Sequence, residues 1–346
     1  MDNQPIDSKK SPRFRVPHGV WTVLKIAISL ALITWLVLRF DIVNAWRSLQ
    51  SMGWSGLIAG LPLMIVSQLL TSRRLQILLT AQGVSISYFM SVRVTLVGLF
   101  SSNFLPSTMG GDVVKMVILA QQRHDTAVSV ASVFADRIAN LLATVLLLPS
   151  LASLGSLLDP RTARRIGEVG IVSVAVGLVL AGGIYVSRHA VHRWLWAEQS
   201  GSLISKFKGV VVRLIEIAVT WGQQPRVFVW SLLLSLGSVL SSVLGLWLVA
   251  RSLDMKVSYL EMLAIAVLVY FITLIPISLN GLGTQEVSLV FLLTGLGTTE
   301  TQALALAIVA RLLYILPSLL GAFGVPGPNK QQSSEQDKQP TAHDST

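Results

Sequence analysis

Long apolar runs constrain this chain more than any other feature of its sequence. Several reach or exceed about 18 residues, the length at which an apolar stretch indicates a transmembrane helix. Charged residues make up only 13% of the 346 residues, whereas soluble domains carry about 25%. The sequence therefore predicts an all-α polytopic membrane protein of the cell inner (plasma) membrane.

Six apolar segments are long enough to cross the bilayer alone. They cover residues 21–38, 54–71, 127–152, 169–187, 227–249 and 302–323. Two other pairs, 88–105 with 112–120 and 259–278 with 286–296, each include a short segment that follows a Pro/Gly-rich break. Because a short helix rising 1.5 Å per residue cannot span ~30 Å of hydrocarbon, each pair is predicted to form a re-entrant helical hairpin.

The distribution of basic residues predicts the orientation. With the N-terminus inside, 15 Lys and Arg residues fall on the inner side and 7 on the outer side, as the positive-inside rule requires. We therefore expect both termini in the cytoplasm. The predicted parts are a cytoplasmic segment (1–20), an integral membrane domain (21–325) with a central cytoplasmic loop (188–226), and a disordered cytoplasmic tail (326–346).

An internal repeat relates residues 54–152 to residues 227–323. In each half a tyrosine, a proline, a glycine pair, an acidic residue and an arginine follow in the same order, from Tyr88 to Arg137 and from Tyr259 to Arg311. The predicted topology starts the two copies from opposite faces, which is the inverted repeat of many secondary transporters. The alternative is coincidence, because Pro and Gly are common in transmembrane helices.

Charged residues at membrane depth are the candidate binding groups, since they are costly there unless they face a cavity or a partner. Asp112 and Lys115 lie three apart at the start of a short helix, so they share a face. Arg137 and Arg311 either bind a lipid phosphate or are neutralised by Asp136 and Glu286, respectively. The predicted substrate-binding residues are Asn103, Pro106, Gly110, Gly111, Asp112, Lys115, Asp136, Arg137, Asn280, Gly281, Gly283, Glu286 and Arg311.

Other polar features predict no further site. Arg73 and Arg74 are interpreted as an anchor at the inner end of the second span, and the depth of Arg93 stays open. All five histidines fall outside the apolar segments and the chain has no cysteine. We therefore expect no metal, no cofactor and no catalytic residue, and nucleic acid is not an expected partner.

The motif order resembles a known family. Phe104-Leu105-Pro106, Gly110-Gly111-Asp112, Asp136-Arg137 and the run from Pro276 to Glu286, followed by Arg311, are similar to the flippase-like transmembrane domain of the lysylphosphatidylglycerol synthases. The resemblance implies lipid translocation between leaflets, or handling of a lipid-linked headgroup. It also implies a stand-alone member without the soluble aminoacyl-transferase domain, so lysyl transfer is not expected.

Three functions are open at this stage. The first is a flippase-like protein for a charged or lipid-linked headgroup, of the phospholipid, polyprenyl-phosphate or hopanoid class. The second is a membrane-embedded transferase that uses Asp112, Asp136 and Glu286. The third is a non-catalytic partner of envelope-lipid or glycan biosynthesis proteins. The residues leave the oligomeric state open.

Overall fold

The computed structural model describes residues 55–105, 110–123, 126–155, 224–275 and 277–323, with five single positions elsewhere. Within these ranges the chain forms eight α-helices and two short 3-10 helices, and no strand. The α-helices are α1 (Ser55–Ala81), α2 (Tyr88–Ser102), α3 (Gly110–Arg123), α4 (Thr126–Leu146), α5 (Pro225–Ser252), α6 (Tyr259–Leu274), α7 (Thr284–Gly295) and α8 (Glu300–Ala322). The 3-10 helices cover Leu148–Leu154 and Leu279–Gly281.

Four helical stretches in the described ranges are long and apolar enough to cross a membrane. They are Ser55–Ala81, Val128–Leu154, Pro225–Ser252 and Glu300–Ala322. Helices α2 and α6 are apolar but shorter. The predicted all-helical membrane protein is thus confirmed. The predicted spans 21–38 and 169–187, and the predicted loop 188–226, lie outside the described residues.

The long helices α1 and α5 each end in a turn that contains one residue with left-handed backbone. These residues are Gly83 (φ 79°) after α1 and Asp254 (φ 55°) after α5. A left-handed residue ends a helix because it turns the chain away from the helix axis. Ser87 and Ser258 then cap α2 and α6, each accepting a hydrogen bond from the backbone N–H three residues on, which satisfies a donor that the helix leaves free.

Helices α1 and α5 pack against each other through small residues. A methyl group at Gly245 would lie 2.9 Å from the carbonyl oxygen of Gly60, and the hydroxyls of Ser67 and Ser238 share a 2.9 Å hydrogen bond. Partner numbers fall along α5 as they rise along α1, so the two helices run antiparallel. Small and hydroxylated residues favour such contacts in lipid, where the hydrophobic effect does not drive helices together.

Two apolar clusters flank this central pair. One consists mainly of residues from α5, α6, α7 and α8, together with the 3-10 helix Leu148–Leu154. The other consists of residues from α1 to α4. The described chain is therefore organised as two helical groups that meet along α1 and α5.

Helix α8 crosses from the second group to contact α2 of the first. At Gly321 an added methyl group would lie 2.1 Å from the carbonyl oxygen of Leu96. Only glycine allows this distance between the two backbones. The contact therefore depends on the absence of a side chain at position 321.

Replacing Gly321 with Ala is expected to lower the free energy of unfolding by about 2 kcal/mol, because the methyl group overpacks a backbone contact. The matched control is Gly237→Ala in α5, where the nearest atom to the added methyl group is Cδ1 at the end of the Leu70 side chain, 3.3 Å away. That variant should change the free energy of unfolding by less than about 1 kcal/mol, which is the amount by which alanine is favoured over glycine inside a helix. Unfolding in mixed detergent micelles, followed by circular dichroism, measures both; equal effects would contradict the packing argument.

Candidate functional site

A cavity of about 310 Å³ opens between the two helical groups. Its wall includes residues of α1, α2, α3 and α4 from one group and of α6, α7 and α8 from the other. Most of the side chains that line it are polar, although the surrounding helices are apolar. The polar lining residues are Gln68, Thr71, Arg74, Thr95, Ser102, Asp112, Lys115, Asp136, Arg137, Asn140, Tyr270, Thr273, Asn280, Gln285, Arg311 and Tyr314.

Positive charge exceeds negative charge at this cavity. Four cationic side chains line it, from Arg74, Lys115, Arg137 and Arg311. Two carboxylates, Asp112 and Asp136, line it as well, and the Glu286 carboxylate contacts Arg311 from behind the wall. Four cations against three carboxylates leave the site with a formal charge of +1, which suits an anionic ligand.

The most buried ion pair of the wall joins Arg74 to Asp136. The Arg74 Nε lies 2.6 Å from the Asp136 Oδ1, and the two side chains are 3% and 7% exposed. The same guanidinium donates hydrogen bonds to the Asn140 Oδ1 at 3.3 Å and the Ser235 Oγ at 2.7 Å. Arg74 therefore connects α1 to both α4 and α5.

The interpretation of Arg74 as an interfacial anchor is wrong. Its neighbour Arg73 is exposed and donates to the Gln76 side chain one turn along α1. Adjacent helix residues point about 100° apart, so two successive arginines can differ in burial. Sequence adjacency suggested one shared role for the pair, whereas helix geometry separates them.

Asp112 contacts two cations at the start of α3. Its Oδ2 accepts a hydrogen bond from the Arg137 Nε, and its Oδ1 lies 3.3 Å from the Lys115 Nζ. The alternative in which Asp136 neutralises Arg137 is wrong, because Asp136 pairs with Arg74 and Arg137 pairs with Asp112. Arg137 and Asp136 are consecutive in α4 and so point in different directions.

The predicted pair of Glu286 and Arg311 is confirmed. The Arg311 Nε donates to the Glu286 Oε1 at 2.5 Å, and the Arg311 Nη2 donates to the carbonyl oxygen of Gly281 at 3.4 Å. The other oxygen of Glu286 accepts the backbone N–H of Gly283 at 2.8 Å. This contact also satisfies a free donor at the start of α7.

Several uncharged residues of the wall were not predicted. The Asn140 Nδ2 donates to the Tyr270 hydroxyl at 3.3 Å, which joins α4 to α6 across the cavity. Tyr314 and Gln285 contribute from α8 and α7. Asn140 and Tyr314 each follow a predicted arginine by three residues, so the spacing of one helix face was the signal that could have found them.

A comparison with known protein families identifies the family of the chain. The family model described as the lysylphosphatidylglycerol synthase TM region matches residues 22–321. The chain belongs to this family. It is also 29% identical over 93 residues to a UPF0104 membrane protein of Archaeoglobus fulgidus; the match covers 27% of this chain and 28% of that protein. The chain thus matches about a quarter of the length of that curated relative.

Seven of the thirteen residues predicted to bind substrate line the cavity in this member of the lysylphosphatidylglycerol synthase TM-region family. They are Asp112, Lys115, Asp136, Arg137, Asn280, Gly281 and Arg311. Pro106 lies outside the described residues. The binding role of each of these residues stays a prediction.

The other five predicted residues lie near the cavity without lining it. The Asn103 amide donates to the Ser318 Oγ at 3.0 Å, which joins α2 to α8. Gly111 allows α3 to approach α2, since an added methyl group there would lie 2.2 Å from the Gly98 carbonyl oxygen. Gly110, Gly283 and Glu286 lie at the starts of α3 and α7. These residues shape the helix ends that carry the ion pairs.

The described part of the chain contains no group of three His, Asp or Glu side chains that could hold a metal ion. The three carboxylates near the cavity instead pair with guanidinium groups. The arrangement therefore offers basic donors to a ligand.

Replacing Arg74 with Met is expected to destabilise the protein by about 3 kcal/mol, because it leaves the buried Asp136 carboxylate without its partner. The matched control is Arg73→Met at the adjacent exposed position, where a change within about 0.5 kcal/mol is expected. Thermal unfolding in detergent compares the two variants. If both lose the same stability, or neither does, the separation of their roles is contradicted.

Proposed function

We propose that this protein is a flippase-like membrane protein that binds the anionic headgroup of a lipid in the central cavity and moves it between leaflets. The observation that carries the proposal is the cavity itself, where Arg137 and Arg311 come together from the two helical groups. Guanidinium groups match phosphate oxygens through paired hydrogen bonds. Membership in the family agrees with a lipid substrate.

The proposal includes an inverted repeat, which matched hydrogen bonds support. The Tyr88 hydroxyl donates to the Leu69 carbonyl at 3.1 Å, and the Tyr259 hydroxyl donates to the Leu240 carbonyl at 3.1 Å. In both cases the tyrosine follows its acceptor by 19 residues. Two halves that descend from one unit would retain such a contact at the same interval.

A second matched pair supports the same relation with different side chains. The Gln76 Nε2 donates to the Ile86 carbonyl at 2.9 Å, and the Trp247 Nε1 donates to the Val257 carbonyl at 2.9 Å. Each donor precedes its acceptor by 10 residues. An amide in one half and an indole in the other donate to backbone carbonyls at equivalent positions, so the equivalence concerns the fold more than the residue type.

The ion pairs at the cavity also recur at one interval. Asp112 and Arg137 are 25 residues apart, and so are Glu286 and Arg311. An antiparallel arrangement of the halves brings one arginine to the cavity from each side of the membrane midplane. Binding sites of inverted-repeat transporters lie in this position, between paired broken helices.

Ser67 and Ser238 support a two-fold axis between α1 and α5. They hold equivalent positions in the two halves, because the interval of 171 residues between them is also the interval between Tyr88 and Tyr259. Their hydroxyls contact each other at 2.9 Å, as expected for equivalent residues on such an axis. Rearrangement of the other helices about this central pair would open the cavity to alternate sides.

The carboxylates favour binding over acid–base catalysis. Asp112, Asp136 and Glu286 each accept a charge-assisted hydrogen bond from an arginine. A general acid or base must lie within hydrogen-bond reach of the proton that it transfers, whereas these carboxylates are occupied by their arginine partners. The transferase hypothesis, which needs one of these groups as an acid or base, is therefore the weaker alternative.

Replacing Arg137 or Arg311 with Gln is expected to lower the rate of headgroup movement at least tenfold, because each loses one charge-assisted contact worth about 1.5–3 kcal/mol. The measurement uses fluorescent phosphatidylglycerol in proteoliposomes and a membrane-impermeant quencher. Because the quencher reaches only the outer leaflet, the fluorescence falls at the rate at which lipid moves out of the inner leaflet. Arg251→Gln, at the exposed end of α5, is the matched control and should retain the wild-type rate. Wild-type rates in both cavity variants would overturn the assignment.

The proposed topology is tested by single cysteines, which the cysteine-free sequence allows without further changes. Ser85 and Lys256 hold equivalent exposed positions in the turns after α1 and α5. We expect Ser85→Cys to react with an impermeant maleimide only from the cytoplasmic side, and Lys256→Cys only from the outer side. Labelling of both cysteines from one side would refute the inverted repeat.

A further inference from the structure

We infer that Asp112 is the displaceable counter-ion of Arg137. A phosphate group that enters the cavity replaces the Asp112 carboxylate on the guanidinium, and Asp112 keeps its ion pair with Lys115. This inference rests on the proposed function, because it assigns the order in which charges exchange at the proposed binding site. It also gives Arg137 and Arg311 different roles.

Asp112 can release Arg137 because it has a second cation. One of its oxygens contacts the Arg137 Nε and the other lies 3.3 Å from the Lys115 Nζ. A buried carboxylate that loses its only partner is costly. With Lys115 still in place, the exchange leaves no buried charge without a counter-ion.

The helix geometry keeps Lys115 beside Asp112 in both states. The two residues lie three apart on α3, whereas Arg137 belongs to α4. Lys115 occupies the space beside Gly98 of α2, where an added methyl group would lie 2.6 Å from two Lys115 carbon atoms. Movement of the Arg137 side chain therefore does not separate Asp112 from Lys115.

The second ion pair lacks this arrangement. The Glu286 carboxylate contacts Arg311 through one oxygen and accepts the Gly283 N–H through the other. Its second partner is a neutral backbone group, so release of Arg311 would leave a carboxylate with no compensating cation. The Arg311 side chain is 13% exposed and that of Arg137 is 36% exposed, which places Arg137 nearer to an incoming ligand.

The two pairs therefore act differently. Arg137 exchanges its counter-ion for the phosphate, while Arg311 remains bound to Glu286 and supplies a fixed positive charge on the opposite wall. The shared ligand chemistry is a phosphate group, whether it belongs to a lipid headgroup or is free in solution.

The test measures binding of dihexanoylphosphatidylglycerol to the purified full chain in detergent by isothermal titration calorimetry. Asp112→Asn is expected to raise the affinity about tenfold, the size of a typical coupling between two binding events, because no carboxylate competes for Arg137. Lys115→Met is expected to lower it by a similar factor, because Asp112 then depends on Arg137 alone. Misfolding would lower both affinities, so the opposite signs separate the exchange from damage to the fold.

Two carboxylates serve as comparisons. Glu261 occupies the first turn of α6 as Asp112 occupies that of α3, but it caps the helix through Ser258 and does not line the cavity, so Glu261→Gln should retain the wild-type affinity. Glu286→Gln should not raise the affinity. A rise equal to that of Asp112→Asn would overturn the distinction between the two ion pairs.

The outcomes separate this inference from the proposed function. Equal affinities in the wild type, Asp112→Asn and Lys115→Met, together with lost binding in Arg137→Gln, overturn the counter-ion exchange and leave the proposed function in place. No binding by the wild type or by Asp112→Asn overturns both. A second arm titrates inorganic phosphate. If phosphate shows the same order of affinities among the wild type, Asp112→Asn and Lys115→Met, the site takes free phosphate. If only the lipid binds, and in that order, the site takes a headgroup; either result supports the exchange.

Discussion

Buried charge in an apolar protein must be compensated, and this requirement organises the described structure. Each ionised group near the cavity has an opposite charge within contact distance. Three of these pairs connect different helices, namely α1 with α4, α3 with α4, and α7 with α8, and the fourth lies within α3. Because an unpaired charge at membrane depth is costly, the helices that carry the partners must stay together. The same pairs line a polar cavity among described helices that are largely apolar.

Much of the architecture is predictable from hydropathy, because a long apolar run has few alternatives to a transmembrane helix. The Glu286–Arg311 pair was also predictable, since both residues are isolated charges in apolar surroundings. The pairing of Arg74 with Asp136 was not. Arg74 lies beside another arginine near the predicted end of a span, where basic residues usually face water. Only the packing of α1 against α4 and α5 shows which of the two arginines turns inward.

The uncharged wall of the cavity was hard to predict for a different reason. Asn140, Tyr270 and Tyr314 are not costly enough at membrane depth to draw attention in a sequence, because each can be satisfied by one hydrogen bond. Their importance comes from helices that are far apart in the chain but adjacent in the fold. The role of Gly111 was also ambiguous in the sequence. A Gly-Gly pair at a helix start suggests an anion site, whereas in the structure Gly111 allows close approach of α2 and α3.

The backbone contact between Gly321 and Leu96 has a mechanical consequence. Helices α2 and α8 come from different halves, and at this point they approach too closely to slide past each other without a steric clash. A conformational cycle of the kind proposed above would therefore carry α2 and α8 as one rigid unit. A crosslink between α2 and α8 should then be compatible with such a cycle.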